Sequence, residues 1–230
     1  MSRRNKLQKF ADLQQFPNFY ENFHHDKPQL LGMNAQPVSL AGRWASSHFG
    51  NDHPVTLELA CGRGEYTVQL AERFPERNFI GVDVKGARIW KGAKYALEQG
   101  LHNAAFLRTR IEQLTHFFTS GEVAEIWITF PDPFLKAGKE NRRLTSPRFL
   151  DAYRRIMPAG GMVHLKTDSP DLFEFTLEVL DTYPHATLDW VQDDIYSQPL
   201  VMEELAFKTY YENSHLREGK TIKYVRIKLD

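Results

Sequence analysis

The sequence predicts an α/β fold, in which a mostly parallel sheet carries helices on both faces. Short apolar segments of strand character alternate with segments of helical periodicity from residue 54 onward. Prolines and glycines punctuate this alternation, and Pro75 and Gly100 each follow a predicted helix. Ligands of such folds bind at the carboxyl ends of the strands, so the residues that follow the strands are the candidates for function.

The predicted elements follow one another with short connections. Val55 to Ala60 is a short apolar run typical of a buried strand, and Tyr66, Leu70 and Phe74 lie at helical spacing directly after it. The carboxyl-terminal segment 221–229 alternates in the way of a half-buried strand. The predicted strands are 55–60, 78–82, 104–107, 124–130, 162–166, 186–190 and 221–229, and the predicted helices are 65–74, 86–99, 111–118, 147–157, 171–182 and 203–217.

The amino-terminal segment, residues 1–37, is predicted to be an irregular basic and aromatic arm or lid, because Pro17, Pro28 and Pro37 interrupt any long helix. Residues 38–230 are predicted to form the main domain. The start of the chain lacks the apolar stretch of a secretory signal, and no apolar run approaches the roughly 20 residues that span a bilayer. We therefore expect a cytoplasmic globular protein.

Composition excludes several classes of function. Of the 230 residues, 29 are Lys or Arg and 29 are Asp or Glu, so the net charge is zero and any surface for a polyanion must be local. The single cysteine, Cys61, can form no intrachain disulfide, and its use as a nucleophile would need a histidine partner that the sequence does not place. The nine histidines lack metal-ligand spacing, so no metal is expected.

A glycine-containing turn after the first main-domain strand is the first candidate site. Gly62 and Gly64 separate a strand from a helix, where a missing Cβ allows backbone to approach a ligand. Asp83, at the end of the next strand, is placed to accept from both hydroxyls of a ribose. Thr67 stands where a dinucleotide fold needs a third glycine, which favours a nucleoside without phosphates, and Glu58 can accept from an ammonium group. The alternative is a tight turn with a surface aspartate.

A second candidate is Asp132, which two prolines flank at the end of the fourth predicted strand. Pro131 and Pro133 stiffen the loop and fix the direction of the carboxylate. An ordinary proline-rich turn is the alternative. Two further polar groups, Lys166 to Asp168 and Thr209 to Glu212, could read the edge of a base, and helix caps or surface polar residues are the alternative there.

Basic residues cluster after the Asp132 segment. Residues 134–155 include seven basic residues and only two acidic ones. This local excess of positive charge indicates a polyanion partner, and a solvated charged loop is the alternative. The basic residues are Lys136, Lys139, Arg142, Arg143, Arg148, Arg154 and Arg155, and the acidic ones are Glu140 and Asp151.

Together these motifs resemble the bacterial tRNA (guanine-N7-)-methyltransferase family. The likeness covers nearly the whole chain from Arg43 on, and the PDP, KTD and TxxE motifs in that order are its most specific part. It runs through GRW…FGNDHP (42–54), LELACGRGE (57–65), NFIGVDV (78–84), ITFPDPF-K (128–136), RRLTSPRFL (142–150), PAGGMVHLKTDS (158–169) and T-Y-Y-E (209–212). The resemblance implies a Rossmann-like methyltransferase fold with a mostly parallel seven-stranded sheet. It also implies transfer of a methyl group from S-adenosylmethionine to N7 of a guanine in tRNA, in the variable loop at position forty-six by convention.

The resemblance assigns roles to residues at matching positions. It implies that Glu58 and Asp83 bind the cofactor, that Asp132 is catalytic and adjoins the cofactor, and that Lys136 and Asp168 bind substrate. The TxxE match adds Thr209 and Glu212 to the substrate residues, and Gly62 and Gly64 belong to the cofactor turn. We expect Arg142 and Arg143, with the amino-terminal arm, to hold tRNA phosphates.

The chain departs from the family pattern in three places. Phe134 occupies a position that is usually tryptophan, the strongly basic stretch after it is diluted in residues 135–141, and Arg110 occupies the position of an aspartate that contacts the cofactor. Arg110 and the diluted stretch motivate one alternative, a non-catalytic tRNA-binding protein that retains the fold. A methyltransferase that acts on another substrate is the second alternative. The expected partners are tRNA and S-adenosylmethionine, with no membrane and no metal, in a monomer or homodimer.

Overall fold

The structure is a computed structural model that describes residues 4–230. The chain forms two compact units, Met1–Thr119 and Ser120–Asp230. The first three residues of the predicted arm lie outside the described residues. No helix of the described chain is both long enough and apolar enough to cross a bilayer.

The first unit contains four strands and three α-helices among its described residues. These are α1 (Lys6–Leu13), β1 (Phe19–Glu21), β2 (Val55–Leu59), α2 (Glu65–Arg73), β3 (Asn78–Asp83), α3 (Gly86–Glu98) and β4 (Ala104–Arg108). All strand pairs within this unit are parallel, in the order β1-β4-β3-β2. β2 and β3 are buried along their whole length, including their polar residues Thr56, Glu58, Asn78 and Asp83. Short helices also occur at Met33–Ala35 and Ile111–His116, and a π-helix at Trp44–Phe49.

The prediction of an irregular amino-terminal segment is wrong for Lys6–Leu13 and Phe19–Glu21, which form α1 and β1. Asn5 and Gln8 form a reciprocal capping box that starts α1, and β1 pairs in parallel with β4. Leu13 and Phe19 are buried. The prediction failed because α1 and β1 are too short to show a clear period, so Pro17, which lies between them, does not show from the sequence that it separates two elements.

The second unit contains four strands and three α-helices. These are β5 (Val123–Thr129), α4 (Pro147–Arg154), β6 (Met162–Thr167), α5 (Pro170–Thr182), β7 (Ala186–Gln192), α6 (Tyr210–Arg217) and β8 (Lys223–Leu229). The order within this unit is β5-β6-β8-β7, with β5 and β6 parallel and β8 antiparallel to both of its neighbours. Short helices lie at Glu140–Arg142 and Glu203–Ala206.

The single helix predicted over 203–217 is also wrong, because two helices occupy that segment. The first ends at Ala206, and Thr209 begins the second by accepting a hydrogen bond from the amide of Glu212. Between them, the Lys166 ammonium donates to the carbonyls of Leu205 and Phe207. A side chain from a distant strand thus takes carbonyl oxygens that a continuous helix would have bonded to its own amides.

Candidate functional site

The turn after β2 reaches left-handed backbone conformations at three positions. Ala60, Gly62 and Gly64 have φ angles of 58°, 57° and 68°. A Cβ on Gly62 would meet no atom closer than 4.0 Å, so the space beside this glycine is open to a ligand. A Cβ on Gly64 would instead lie 2.4 Å from the Phe106 ring. Gly62 therefore suits ligand approach, whereas Gly64 is required by packing inside the unit.

Two glycines that the sequence reasoning missed share the packing role of Gly64. A Cβ on Gly81 or on Gly92 would lie 2.9 Å from the Phe106 ring. The ring thus occupies the volume of three absent side chains, and α2 and α3 approach the strands closely around it. This cluster holds the glycine turn against the sheet.

Asp83 is buried beside the same turn, at the carboxyl end of β3. Its Oδ2 accepts from the amide of Gly62 at 2.9 Å, and its Oδ1 accepts from the amide of Lys85 at 2.8 Å. The two amides fix the orientation of the carboxylate, and each oxygen keeps a further lone pair. This arrangement fits a carboxylate that accepts from the two hydroxyls of a ribose.

Glu58 is buried behind the turn and serves the start of α2. Its Oε2 accepts from both the amide and the hydroxyl of Thr67. Thr67 is the third residue of α2, so a carboxylate already occupies one of the amides that a phosphate would need. The negative charge at the helix start therefore disfavours a pyrophosphate and suits a nucleoside ligand with a cationic group. Direct contact of Glu58 with that group stays a prediction.

The thiol of Cys61 is not a nucleophile in this arrangement. The side chain is buried, and burial raises its pKa well above the usual value, with the nearby carboxylates of Glu58 and Asp83 adding to the rise. A protonated buried thiol neither attacks nor ligates. Within residues 4–230, no group of three or more metal-binding side chains comes together.

Arg110 is exposed at the start of the Ile111–His116 helix, two residues beyond the end of β4. Asp83 and Arg108 are register partners, so Arg110 follows the strand beside the one that ends in Asp83. A cationic side chain stands where the family pattern has an acidic one. Its contact with a cofactor stays a prediction.

The segment 130–134, the Asp132 loop, follows β5 in a strained conformation. Phe130 and Phe134 have φ angles of 50° and 44°, a region that bulky residues rarely adopt. Asp132 is exposed, and its Oδ1 accepts from the amide of Phe134 at 3.0 Å. The loop therefore presents the Asp132 carboxylate to solvent while the local turn fixes its direction.

The structure argues against the phosphate contact predicted for Arg143. This side chain is buried, its Nε donates to the carbonyl of Pro133 at 2.9 Å, and its guanidinium lies 4.5 Å from the centre of the Phe175 ring. The guanidinium that was expected to contact a polyanion is therefore engaged within the chain. Lys136 and Arg142 are exposed, as a contact with tRNA requires, and that contact stays a prediction for both.

Thr209 and Glu212 are buried, with 8% and 0% of their surface exposed, although the sequence predicted substrate-reading groups. The Oε1 atom of Glu212 lies 2.8 Å from the Lys166 ammonium and accepts from the Tyr196 hydroxyl at 2.6 Å. Its Oε2 has no hydrogen-bond partner among the described residues. Burial lowers the pKa of Lys166, and the charge of Glu212 opposes that effect.

The Asp168 carboxylate is more accessible than that of Glu212, with 19% of its side chain exposed. It pairs with the Lys220 ammonium at 2.8 Å and lies 3.4 Å from Nδ1 of His215. The His215 ring is 5.7 Å from that of Phe130, at the start of the Asp132 loop. The structure thus groups the Asp132 loop, Asp168 and α6 through a histidine that the sequence reasoning missed.

Lys166 and Tyr196 were also missed as partners of Glu212. A lysine inside a predicted buried strand was a usable signal for Lys166, because such a charge needs a buried partner. Tyr196 and His215 carried no comparable signal, since their roles depend on side chains distant in the sequence.

Comparison with known proteins decides the family. A family model described as "Putative methyltransferase" matches residues 52–225. The tRNA (guanine-N(7)-)-methyltransferase of Christiangramia forsetii is 44% identical over the whole of both chains. That of Porphyromonas gingivalis is 53% identical over 85% of this chain and 80% of its own. This chain belongs to the tRNA (guanine-N7-)-methyltransferase family. The resemblance predicted from the sequence motifs is thereby confirmed.

Solved structures place this family member among methyltransferases in fold. The 16S rRNA methyltransferase KamB matches with a TM-score of 0.61 at 16% identity, over 85% of this chain and 96% of its own. An antibiotic-related methyltransferase matches with a TM-score of 0.62 at 17% identity, over 84% of this chain and 96% of its own. The predicted Rossmann-like fold class is confirmed, with the correction that the described residues contain eight strands and not seven. The additional strand is β1, within the segment predicted to be irregular.

Proposed function

We propose that this chain transfers a methyl group from S-adenosylmethionine to N7 of a guanine in tRNA. The observation that carries the proposal is the 44% identity, over the entire length of both chains, with a relative named for that activity. The geometry of the two units agrees with it, since one holds a carboxylate and an open glycine suited to a nucleoside and the other holds an exposed, fixed aspartate. The variable-loop guanine is the proposed target.

The cofactor residues lie in the first unit. S-adenosylmethionine, when bound, supplies an electrophilic methyl group on a cationic sulfur. Asp83 would hold the ribose through its free lone pairs, and Gly62 would leave room for the nucleoside beside the turn. Glu58 keeps the start of α2 negative, which favours a cation over a phosphate. Arg110 would face the adenine, and we propose that it contacts the ring by stacking rather than by accepting a hydrogen bond.

Asp132 is the proposed catalytic residue. Guanine N7 carries a lone pair and no proton, so the chain needs no base to activate it, and alignment supplies much of the acceleration. Methylation makes the guanine cationic. The Asp132 carboxylate, held in one direction by its bond to the amide of Phe134, would stabilise that developing charge without reorganising.

Asp168 is the proposed reader of the guanine edge. A carboxylate accepts from guanine N1–H and from the 2-amino group, which adenine does not offer in that pattern. Asp168 is partly exposed, whereas Glu212 is fully buried, so accessibility favours Asp168 for the direct contact. Glu212 would support the site from behind by anchoring α6. Lys136 and Arg142 are the proposed phosphate contacts.

The proposed substrate implies a location for the chain and leaves both oligomeric states open. An enzyme that acts on tRNA would work in the cytoplasm, and a monomer or a homodimer would each serve. The target guanine would leave its stack to reach the methyl donor, as bases do in enzymes that flip their target base.

The test is methyl transfer from labelled S-adenosylmethionine to unmodified tRNA, followed by nucleoside analysis. Asp132→Asn is the matched variant, because it keeps the shape and the acceptor for the amide of Phe134 but removes the charge. We expect 7-methylguanosine from the wild type, and a kcat lowered roughly 100-fold or more in the variant with cofactor binding retained in calorimetry.

Three outcomes would contradict the proposal. Methylation of another nucleoside would overturn the guanine specificity, and a variant with wild-type kcat would remove Asp132 from catalysis. Binding of tRNA without any transfer would favour the non-catalytic alternative, and Arg110→Asp would then be the first reversion to test.

A further inference from the structure

We infer that Arg143 is a positioning residue, which holds the Asp132 loop in the conformation that catalysis uses. The inference rests on the proposed function, in which Asp132 acts on the developing charge of the guanine. It assigns to Arg143 a task within the chain, distinct from the contact with phosphate that its place in a basic segment indicates.

The Asp132 loop needs an external constraint. Its two ends, Phe130 and Phe134, both have positive φ angles, and neither is a glycine. Bulky residues keep such conformations only where the surrounding structure imposes them. The turn bond between the Asp132 carboxylate and the amide of Phe134 is local and solvent-exposed, so it cannot impose the conformation alone.

Arg143 supplies that constraint through backbone carbonyls. Its Nε donates to the carbonyl of Pro133 at 2.9 Å, and its Nη2 lies 3.5 Å from the carbonyl of Phe134. Both acceptors are within two residues of Asp132. The buried guanidinium of Arg143 thus binds the backbone of the loop, while Asp132 remains exposed to solvent.

The guanidinium is itself immobilised. It lies 4.5 Å from the centre of the Phe175 ring of α5, and only 8% of Arg143 is exposed. The backbone of Arg143 is held on both sides, because its amide donates to the carbonyl of Glu140 and its carbonyl accepts from the amide of Ser146. The buried, planar guanidinium of Arg143 therefore holds the loop at a fixed position relative to α5.

Arg142 and Arg143 are therefore adjacent arginines with different tasks. Arg142 is exposed, as a phosphate contact requires. A lysine in place of Arg143 would keep the charge but lose the planar donor and most of the stacking on Phe175. The pair gives a matched comparison within one segment of the chain.

The experiment compares Arg143→Lys with Arg142→Ala in steady-state methyl transfer to tRNA, with thermal unfolding of each variant. For Arg143→Lys we expect kcat to fall roughly 10- to 100-fold while the KM for tRNA stays within about twofold, as a misplaced catalytic group predicts. For Arg142→Ala we expect a raised KM and a salt slope of tRNA binding reduced by about 1, as a lost phosphate contact predicts.

A readout besides activity separates positioning from general destabilisation. Hydrogen exchange at the amide of Phe134 should accelerate in Arg143→Lys at a temperature where thermal unfolding shows the variant to be folded. Phe175→Leu weakens the stacking and leaves both carbonyl contacts, so we expect a smaller loss of kcat in the same direction. This second variant keeps the test decisive if Arg143→Lys fails to fold.

The failures are distinguishable. If the wild type does not methylate tRNA, the proposed function is wrong and the kinetic comparison does not apply. Faster hydrogen exchange at the amide of Phe134 in Arg143→Lys would still show that Arg143 holds the Asp132 loop. If the wild type is active and Arg143→Lys keeps its kcat, the inference is overturned. A raised KM and a reduced salt slope in Arg143→Lys would likewise overturn it, because they would return Arg143 to the phosphate contacts.

Discussion

Replacing Lys166 by methionine tests the buried ion pair behind α6. Methionine has a similar length and no charge, so the change removes the ammonium without leaving a large cavity. In the wild type the ammonium lies 2.8 Å from Glu212 and donates to the carbonyls of Leu205 and Phe207 at 2.9 and 3.0 Å. Neither Lys166 nor Glu212 has any exposed surface.

The expected loss of stability follows from these contacts. Breaking a buried pair on one side costs about 3–5 kcal/mol, because the remaining charge has no cation and no water. The carbonyls of Leu205 and Phe207 also lose their donor, and each lost hydrogen bond destabilises the fold by about 1 kcal/mol. Hydrogen bonds from water to these carbonyls would offset part of that loss. We therefore expect Lys166→Met to lower the free energy of unfolding by about 4 kcal/mol at pH 7.

Urea unfolding at pH 7 measures this loss, with Lys166→Met/Glu212→Gln as the matched control. The double variant removes the stranded charge, so it should recover at least about 2 kcal/mol of the loss. The reasoning is refuted if Lys166→Met stays within about 1 kcal/mol of the wild type, or if the double variant recovers none of the loss.

The first unit supports two further predictions. Burial lowers the pKa of His48 to about 4, and Nδ1 of its ring lies 2.7 Å from the Tyr20 hydroxyl. Because the unfolded chain takes up the proton first as pH falls, the free energy of unfolding should drop by up to about 3 kcal/mol between pH 6.5 and 4. Urea unfolding across that range measures the drop, and an equal drop in His48→Gln would contradict the assignment. Gly64→Ala should lower the free energy of unfolding by about 2–5 kcal/mol, because of left-handed strain and a clash with the Phe106 ring. Gly62→Ala should lower it by about 1–2 kcal/mol, from the strain alone. Equal losses of stability in the two variants would refute the packing role of Gly64.

The sequence determined most of the elements because their signals are local. The alternation of apolar runs with helical periods placed β2 to β8 within a few residues, and Pro75 and Gly100 bounded two helices. Asp83 and Asp132 were predicted as site residues because they follow strands, and parallel strands end at a common edge. The family, too, was evident from the order of short motifs.

The amino-terminal segment shows where local signals stop. Residues 4–37 contain a helix of eight residues and a strand of three, and neither length displays a period against its neighbours. β1 exists because β4 offers it a partner, and that pairing is a tertiary event. The division of the 203–217 segment is another, since Lys166 takes the carbonyls between its two helices.

The tasks of adjacent charged residues were decided only by the tertiary structure. Arg142 and Arg143 are equivalent in sequence, yet one is exposed and the other is stacked on Phe175, which lies 32 residues further along the chain. Glu212 belongs to a motif that predicts substrate contact, yet folding buries it against Lys166. The sequence by itself determines which charges are present and which strand or helix carries them. Whether a charge meets solvent or a buried partner depends on packing between distant segments, because desolvation and pairing set its energy, and only the folded chain brings those segments together.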